Sequence, residues 1–161
     1  MIHHLSIAAR DPQHVADVLA ECMDGIAVPF PPNPGSFFAL ALDEHGTGVE
    51  VYPVGTELQP DGVEGTAFVK KEPTGPGYNP THFALSVALE ADQIEAIARR
   101  EGWACYRCVR GGGFFHVMEV WIENASMVEL LPPVFAKEYL DFAKAENIER
   151  FLMAGAPTDR H

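Results

Sequence analysis

The most restrictive feature of the sequence is an internal repeat. A histidine followed by alternating apolar and small residues occurs twice, at His4 and at His82. Each phrase precedes a stretch of helical periodicity, and each half closes on a glutamate within an apolar run, at Glu50 and Glu129. His4 precedes Glu50 by 46 positions, and His82 precedes Glu129 by 47. Such a repeat predicts two copies of one supersecondary unit.

The order of elements in each copy is a strand, a helix and three strands. Asp11 and Pro12 are typical of a helix start, and Gly25 indicates its end; Gly102 ends the second helix 77 positions later. Three strand-like runs follow each helix. We therefore expect an α+β fold of two βαβββ modules that form an open, cup-shaped mixed β-sheet barrel with the helices outside.

The predicted organisation divides the chain into five parts. Residues 1–53 form the first module and residues 81–133 the second, and residues 54–80, rich in glycine and proline, are a linker or lid between them. Aromatic residues at helical spacing in residues 134–153 indicate an added C-terminal helix, packed on the outside of its own sheet or on a second subunit. Residues 154–161 are a tail.

Strand alternation predicts where the repeated residues point. In the first copy, Ile7 belongs to the apolar face under the helix, so His4 points to the other face, and the second copy shows the same pattern around His82. Glu50 and Glu129 alternate with valine and leucine in the same way. A carboxylate in an apolar strand is costly to bury unless it is paired or binds a cation.

These two histidines and two glutamates form a candidate metal site. Two imidazoles and two carboxylates suit one first-row divalent ion, such as zinc, nickel, manganese, cobalt or iron, with water completing the coordination. The alternative is that each histidine is an ordinary hydrogen-bonded residue and each glutamate is exposed. His3 is the rival of His4, but strand alternation turns His3 toward the helix.

The phrases around these positions resemble the vicinal oxygen chelate superfamily, which includes glyoxalase I, methylmalonyl-CoA epimerase, extradiol dioxygenases and the fosfomycin and bleomycin resistance proteins. The resemblance spans residues 2–133. In glyoxalase-like members the matching positions bind the metal. The resemblance implies this role for His4, Glu50, His82 and Glu129. Residues 123–126 depart from the Asp-Pro-Asp-Gly-Asn type of turn found in many relatives, which leaves the subfamily open.

The function implied by the resemblance is a metal-dependent lyase or isomerase of glyoxalase type. It would chelate vicinal oxygens of a small carbonyl or hydroxy-acyl substrate and stabilise an enolate, with Glu129 or Glu50 as the base. Glu50 favours this branch, because extradiol dioxygenases typically use two histidines and one glutamate. The alternatives are an extradiol-type iron dioxygenase and a non-catalytic protein that binds an antibiotic or toxin. Dimers are common in the superfamily, so we expect a homodimer.

Other residues are candidates for substrate binding. Tyr52 shares a face with Glu50, Arg107 and Arg110 adjoin a run of three glycines, and His116 begins a strand. Each has an ordinary alternative. Tyr52 can simply fill space, the arginines can flank a loop between strands, and His116 can be a surface residue.

Charge and cysteine content argue against several classes of protein. A net charge of -12 without a basic patch argues against nucleic-acid and membrane partners. The sequence shows no secretory signal and no long apolar stretch, so a cytoplasmic location is expected. Three cysteines argue against a disulfide framework. Cys105 and Cys108 have the spacing of a redox motif, but a strand would point them to opposite faces.

Overall fold

The chain folds as an α+β protein of two similar halves. The computed structural model describes residues 2–60, 66–72, 82–110, 112–144, 146, 147, 150 and 153. The first half contains β1 His4–Ala9, α1 Pro12–Met23, β2 Ile26–Pro29, β3 Phe37–Leu40, β4 Gly48–Pro53, β5 Thr56–Pro60 and β6 Thr66–Lys70. The second half contains β7 Ala84–Ser86, α2 Ala91–Glu101, β8 Ala104–Arg110, β9 Phe115–Ile122, β10 Ser126–Leu131 and α3 Pro133–Phe142.

The first sheet has the strand order β1-β4-β3-β2, and β1 runs parallel to β4. Helix α1 packs on one face, where Val15 and Leu19 of the helix and Val49 and Val51 of β4 are buried. Because side chains alternate along a strand, Glu50 belongs to the opposite face. We call the face of each sheet opposite to α1 or α2 its distal face.

The second sheet repeats this topology. Its strand order is β7-β10-β9-β8, with β7 parallel to β10 and the other pairs antiparallel. Helix α2 packs on one face, where Ile94 of the helix and Met118, Val128 and Leu130 of the sheet are buried. The βαβββ order predicted for each half is therefore confirmed.

The ends of the helices follow the capping chemistry in the sequence. The Asp11 carboxylate accepts a hydrogen bond from the His14 backbone N–H, 3.2 Å away, at the start of α1. The left-handed residue that ends α1 is Asp24 and not the predicted Gly25. Gly25 is needed for another reason, since a Cβ there would lie 1.9 Å from the Leu40 carbonyl oxygen.

The segment predicted as a linker or lid contains a β-hairpin. Strands β5 and β6 pair antiparallel and form a two-stranded sheet of their own. The ring of Phe68 in β6 contacts Tyr52 of β4, with centroids 5.7 Å apart, and Phe30, 6.4 Å away. The hairpin thus folds back onto the distal face of the first sheet. Residues 61–65 and 73–81 lie outside the described part of the chain.

Helix α3 covers part of the distal face of the second sheet. Phe115, Val117 and Leu131 of that face are buried, and they pack against an apolar side of the helix. That side consists of Phe135, Ala136, Tyr139 and Phe142. Helix α3 ends at Phe142, Ala143 and Lys144 are not helical, and residues 146, 147, 150 and 153 are helical again. The predicted tail lies outside the described residues.

The chain divides into two compact units, Met1–Pro80 and Thr81–His161. Among the described residues, we find no helix of sufficient length and apolarity to cross a membrane.

Candidate metal centre

The first unit brings His4 and Glu50 together on the distal face. In the parallel pairing of β1 with β4, His4 lies opposite Gly48, two residues before Glu50. The His4 Nε2 atom is 3.8 Å from Glu50 Oε1. The carboxylate is buried, with an overall exposure of 8% for Glu50, whereas the His4 side chain is 56% exposed. The pair thus combines a buried carboxylate with an accessible imidazole.

Tyr52 fixes the orientation of Glu50. Its hydroxyl donates a hydrogen bond to Glu50 Oε2. Burial of the tyrosine, and then the hydrogen bond and charge of Glu50, raise the pKa of the Tyr52 hydroxyl far above its ordinary value, while a hydrogen bond with Ser6 opposes the shift. The hydroxyl therefore stays protonated and remains a donor to the carboxylate at every physiological pH.

The second unit repeats the register of His4 and Glu50 with His82 and Glu129. Glu129 lies opposite Ala84 in the pairing of β10 with β7, and His82 is two residues before Ala84. In the first unit, Glu50 lies opposite Ser6, and His4 is two residues before Ser6. The Glu129 backbone N–H donates to the Phe83 carbonyl oxygen, 2.9 Å away. Burial raises the pKa of the Glu129 carboxyl, and the nearby His82 ring opposes this shift.

Glu119 is a neighbour of Glu129 that the candidates from the sequence lack, and Arg110, which the sequence offers as a candidate for substrate binding, lies beside it. Glu119 lies directly opposite Glu129 across β9 and β10. The Arg110 guanidinium donates a hydrogen bond to Glu119 Oε1. The Cys108 thiol lies close to both, and burial followed by the charge of Glu119 raises its pKa. A signal for Glu119 was present, because it is also a lone carboxylate alternating with apolar residues in a strand.

Two of the residues predicted to bind substrate lie elsewhere. The Arg107 guanidinium donates to Asp92 at 3.0 Å and to Glu95 at 3.1 Å, both on α2, so Arg107 is on the helix side of β8. The His116 ring stacks on Phe135, and its Nδ1 is 2.8 Å from Glu138 Oε2, so it fastens α3 to β9.

The structure also shows the surroundings of His3, the alternative to His4, and of the cysteines Cys105 and Cys108. The His3 ring contacts the His45 carbonyl oxygen, whereas His4 lies beside Glu50. Cys105 and Cys108 lie three apart on β8 and therefore face opposite sides. Burial, with smaller contributions from neighbouring charges, raises the pKa of the Cys105 thiol to about 11. A protonated thiol is a poor nucleophile, which argues against a redox pair.

Each unit by itself offers one imidazole and one carboxylate. Within the described part of the chain, no group of three or more histidine, cysteine, aspartate or glutamate side chains is close enough to hold a metal ion. The four-residue site stays a prediction.

Comparisons with known proteins bear on the fold. No protein-family model and no curated protein matches this sequence. Fosfomycin resistance protein FosX from Listeria monocytogenes, complexed with Mn(II) and sulfate ion, has a TM-score of 0.54 at 10% identity, covering 88% of this chain and 96% of that chain. Its hexagonal crystal form has a TM-score of 0.52 at 13% identity, covering 81% and 90%. Trypanothione-dependent glyoxalase I from Leishmania major has a TM-score of 0.49 at 14% identity, covering 93% and 96%.

The chain thus has the fold of the FosX fosfomycin resistance proteins. Fosfomycin resistance proteins are among the members of the superfamily that the sequence resembles, so the resemblance is confirmed at the level of the fold. At these identities the comparison concerns the backbone arrangement alone.

Proposed function

We propose that this protein is a glyoxalase-like enzyme that depends on one divalent metal ion and chelates vicinal oxygens of a small carbonyl or hydroxy-acyl substrate. The observation that carries the proposal is the occurrence of a histidine and a glutamate at the same register in both sheets. A fold alone does not require these residues, because the other residues of the distal faces differ between the halves. Their repetition is best explained by one shared task.

The donor atoms fit a divalent ion. Two imidazole nitrogens and two carboxylates suit borderline metals, and two carboxylates balance the charge of the ion. Glu50 is buried, and its Oε2 atom already accepts the Tyr52 hydroxyl, which leaves Oε1 directed toward His4. Hydrogen bonds of this kind orient metal ligands in proteins. The FosX structure complexed with Mn(II) supports manganese as the first ion to test.

The two glutamates differ in the side chain that lies two residues further along the strand. Tyr52 holds Glu50 in place, while Leu131 occupies the equivalent position beside Glu129. We therefore assign the role of a fixed ligand to Glu50, and to Glu129 the role of a ligand that would leave the metal ion to act as general base. The Glu129 carboxylate would take the proton from the carbon next to the chelated carbonyl group. The metal ion, when bound, supplies positive charge to the enolate oxygen.

Metal titration of variants tests whether the two pairs share one ion. Metal-depleted protein is titrated with Mn²⁺ in a calorimeter, and we expect one ion per chain. His4→Ala and His82→Ala should each weaken binding by at least ~100-fold, since loss of a ligand exceeds the 10–100-fold loss typical of residues that only orient ligands. His3→Ala and His116→Ala are matched controls and should bind like the wild type.

The stoichiometry separates this proposal from its alternatives. If each unit held its own ion, His4→Ala would still bind half of the metal, which contradicts a shared centre. A shared centre can be completed within one chain or between the two chains of the homodimer that we expect. His4→Ala and His82→Ala proteins that have lost metal binding are mixed to distinguish these cases. Only a centre shared between chains regains metal binding in the mixed dimers.

Fosfomycin resistance is a second candidate function, favoured by the FosX fold. Expression in a fosfomycin-sensitive bacterium tests it, with Glu129→Gln as the control. Resistance that needs Glu129 would point to catalysis on the antibiotic. Resistance that survives Glu129→Gln would point to binding without chemistry.

A further inference from the structure

Aromatic rings surround the histidine–glutamate pair of the first unit. Phe38 lies directly opposite Glu50 in the pairing of β3 with β4. Its ring meets the His4 ring edge to face, with centroids 5.9 Å apart. Phe30 contacts Phe38 at 6.3 Å and Tyr52 at 5.9 Å. Phe68 completes the group from the hairpin. We call Phe30, Phe38, Tyr52 and Phe68 the aromatic wall.

Gly48 makes room for the aromatic wall next to the histidine. A Cβ at Gly48 would lie 2.4 Å from Cε2 of the Phe38 ring and 3.0 Å from its Cζ. The ring therefore lies across β4 at the position opposite His4. An alanine at this position would force the ring away from its place beside the pair.

The rings are not simply part of the hydrophobic core. Tyr52 is buried, but Phe30, Phe38 and Phe68 keep part of their surface exposed. They also gather around a buried carboxylate, which is a costly neighbour for apolar groups unless function requires it. The core of this unit lies on the other face of the sheet, under α1.

The fold does not demand aromatic residues at these places. In the second sheet, the residue opposite Glu129 is Glu119, where the first sheet has Phe38. Leu131 replaces Tyr52, and Met127 stands two residues before Glu129, where the first sheet has Gly48. The aromatic wall is thus specific to the first unit, although both units carry the same pair.

We propose that the aromatic wall is a subsite that binds an aromatic or bulky apolar group of the substrate next to the chelated oxygens. The inference rests on the proposed function, since it places this group relative to the metal ligands. A substrate that carries only small polar groups would leave these rings in contact with water. An aryl group would instead bury apolar surface against three partly exposed rings.

Two metal-chelating probes test this inference. Acetohydroxamate and benzohydroxamate both present two vicinal oxygens, but only the second carries a phenyl ring. Their affinities for the Mn²⁺-loaded protein are measured by calorimetry. We expect the wild type to prefer benzohydroxamate by at least ~10-fold, the effect of burying one ring against apolar surface. Phe38→Leu and Phe68→Leu should each reduce this preference several-fold.

Phe37→Leu is the matched control, because Phe37 neighbours Phe38 on the same strand but points to the helix side. An unchanged preference in Phe37→Leu, combined with a reduced one in the other two variants, would support the subsite. Equal affinities of both probes for the wild type, or equal losses in all three variants, would overturn it while leaving the metal site intact. Absence of Mn²⁺ binding would overturn the proposed function and the subsite with it.

Discussion

The two halves share a backbone plan but differ in the surroundings of their histidine–glutamate pairs. In the first half, Glu50 is buried beside Tyr52 and Phe38. In the second half, Glu129 lies beside Glu119 and near Arg110. The repeated residues are the ones that the proposed metal centre uses. The residues that differ give the two pairs different surroundings.

The elements that follow the two modules differ as well, yet each one packs on the distal face of its own sheet. The β5–β6 hairpin follows β4 and brings Phe68 to Tyr52. Helix α3 follows β10 and packs on Leu131, the counterpart of Tyr52. Each half thus covers part of its own distal face with the next segment of chain. A strand pair suffices in the first half, whereas the second half uses a helix.

Removal of α3 should have the largest effect on this arrangement. Deletion of residues 134–161 takes the rings of Phe135, Tyr139 and Phe142 from the buried cluster that includes Phe115. At about 1.5–3 kcal/mol for each buried apolar side chain, the loss should reach roughly 5 kcal/mol of unfolding free energy. Urea denaturation followed by fluorescence measures it.

A point variant on the other side of the same helix provides the control. Leu140 is 66% exposed, so Leu140→Ser should change the unfolding free energy by less than ~0.5 kcal/mol. A deletion that leaves the denaturation midpoint unchanged would show that α3 does not stabilise the second sheet.

The repeat and strand alternation were sufficient to predict the main architecture. The positions of His4 and Glu50 on the face opposite Ile7 follow from a period of two residues, and the structure buries Ile7 on the helix side. The same alternation identifies Glu119 as a further lone carboxylate on the distal face. Charged residues in apolar strands are informative even when they have no counterpart in the other half.

Tertiary contacts explain what the sequence did not predict. Strands β5 and β6 lie in a segment rich in glycine and proline, and the contact of Phe68 with Tyr52 comes from a distant part of the chain. The spacing of aromatic residues in the sequence predicts the apolar side of α3, but it does not predict which face of the sheet the helix covers. Arg107 shows the same limit, because its ion pairs with Asp92 and Glu95 require the position of α2.

The orientation of Glu50 gives a smaller expected effect than removal of α3. Tyr52→Phe deletes the hydroxyl that donates to Glu50 and leaves the ring. We expect Mn²⁺ affinity to fall by about 10-fold, since residues that orient ligands typically contribute 10–100-fold. Calorimetric titration measures the change. Tyr106→Phe alters an exposed tyrosine of the second unit and should leave the affinity as it is; equal losses in both variants would contradict a specific role for Tyr52.

The ion pair beside Glu129 gives an expected effect similar in size to that of Tyr52→Phe and smaller than removal of α3. Arg110→Met removes the guanidinium from Glu119 and leaves two carboxylates opposite each other on neighbouring strands. The Arg110 and Glu119 side chains are 28% and 15% exposed, so solvent screens part of the interaction. We expect a loss of about 1–2 kcal/mol in the metal-free protein at pH 7, below the 3–5 kcal/mol typical of breaking a fully buried pair.

The pH dependence and a matched arginine sharpen this test. Besides burial, repulsion from Glu119 raises the pKa of the Glu129 carboxyl in the folded state, so the destabilisation is present when Glu129 is ionised and disappears as the pH falls below the ordinary pKa of this group. The difference from the wild type should therefore shrink between pH 7 and pH 4. Arg107→Met breaks exposed ion pairs on the other face of β8 and should cost less than ~1 kcal/mol. If both variants lose the same stability at pH 7, the Arg110–Glu119 ion pair contributes no more than an exposed ion pair. That result would contradict the prediction.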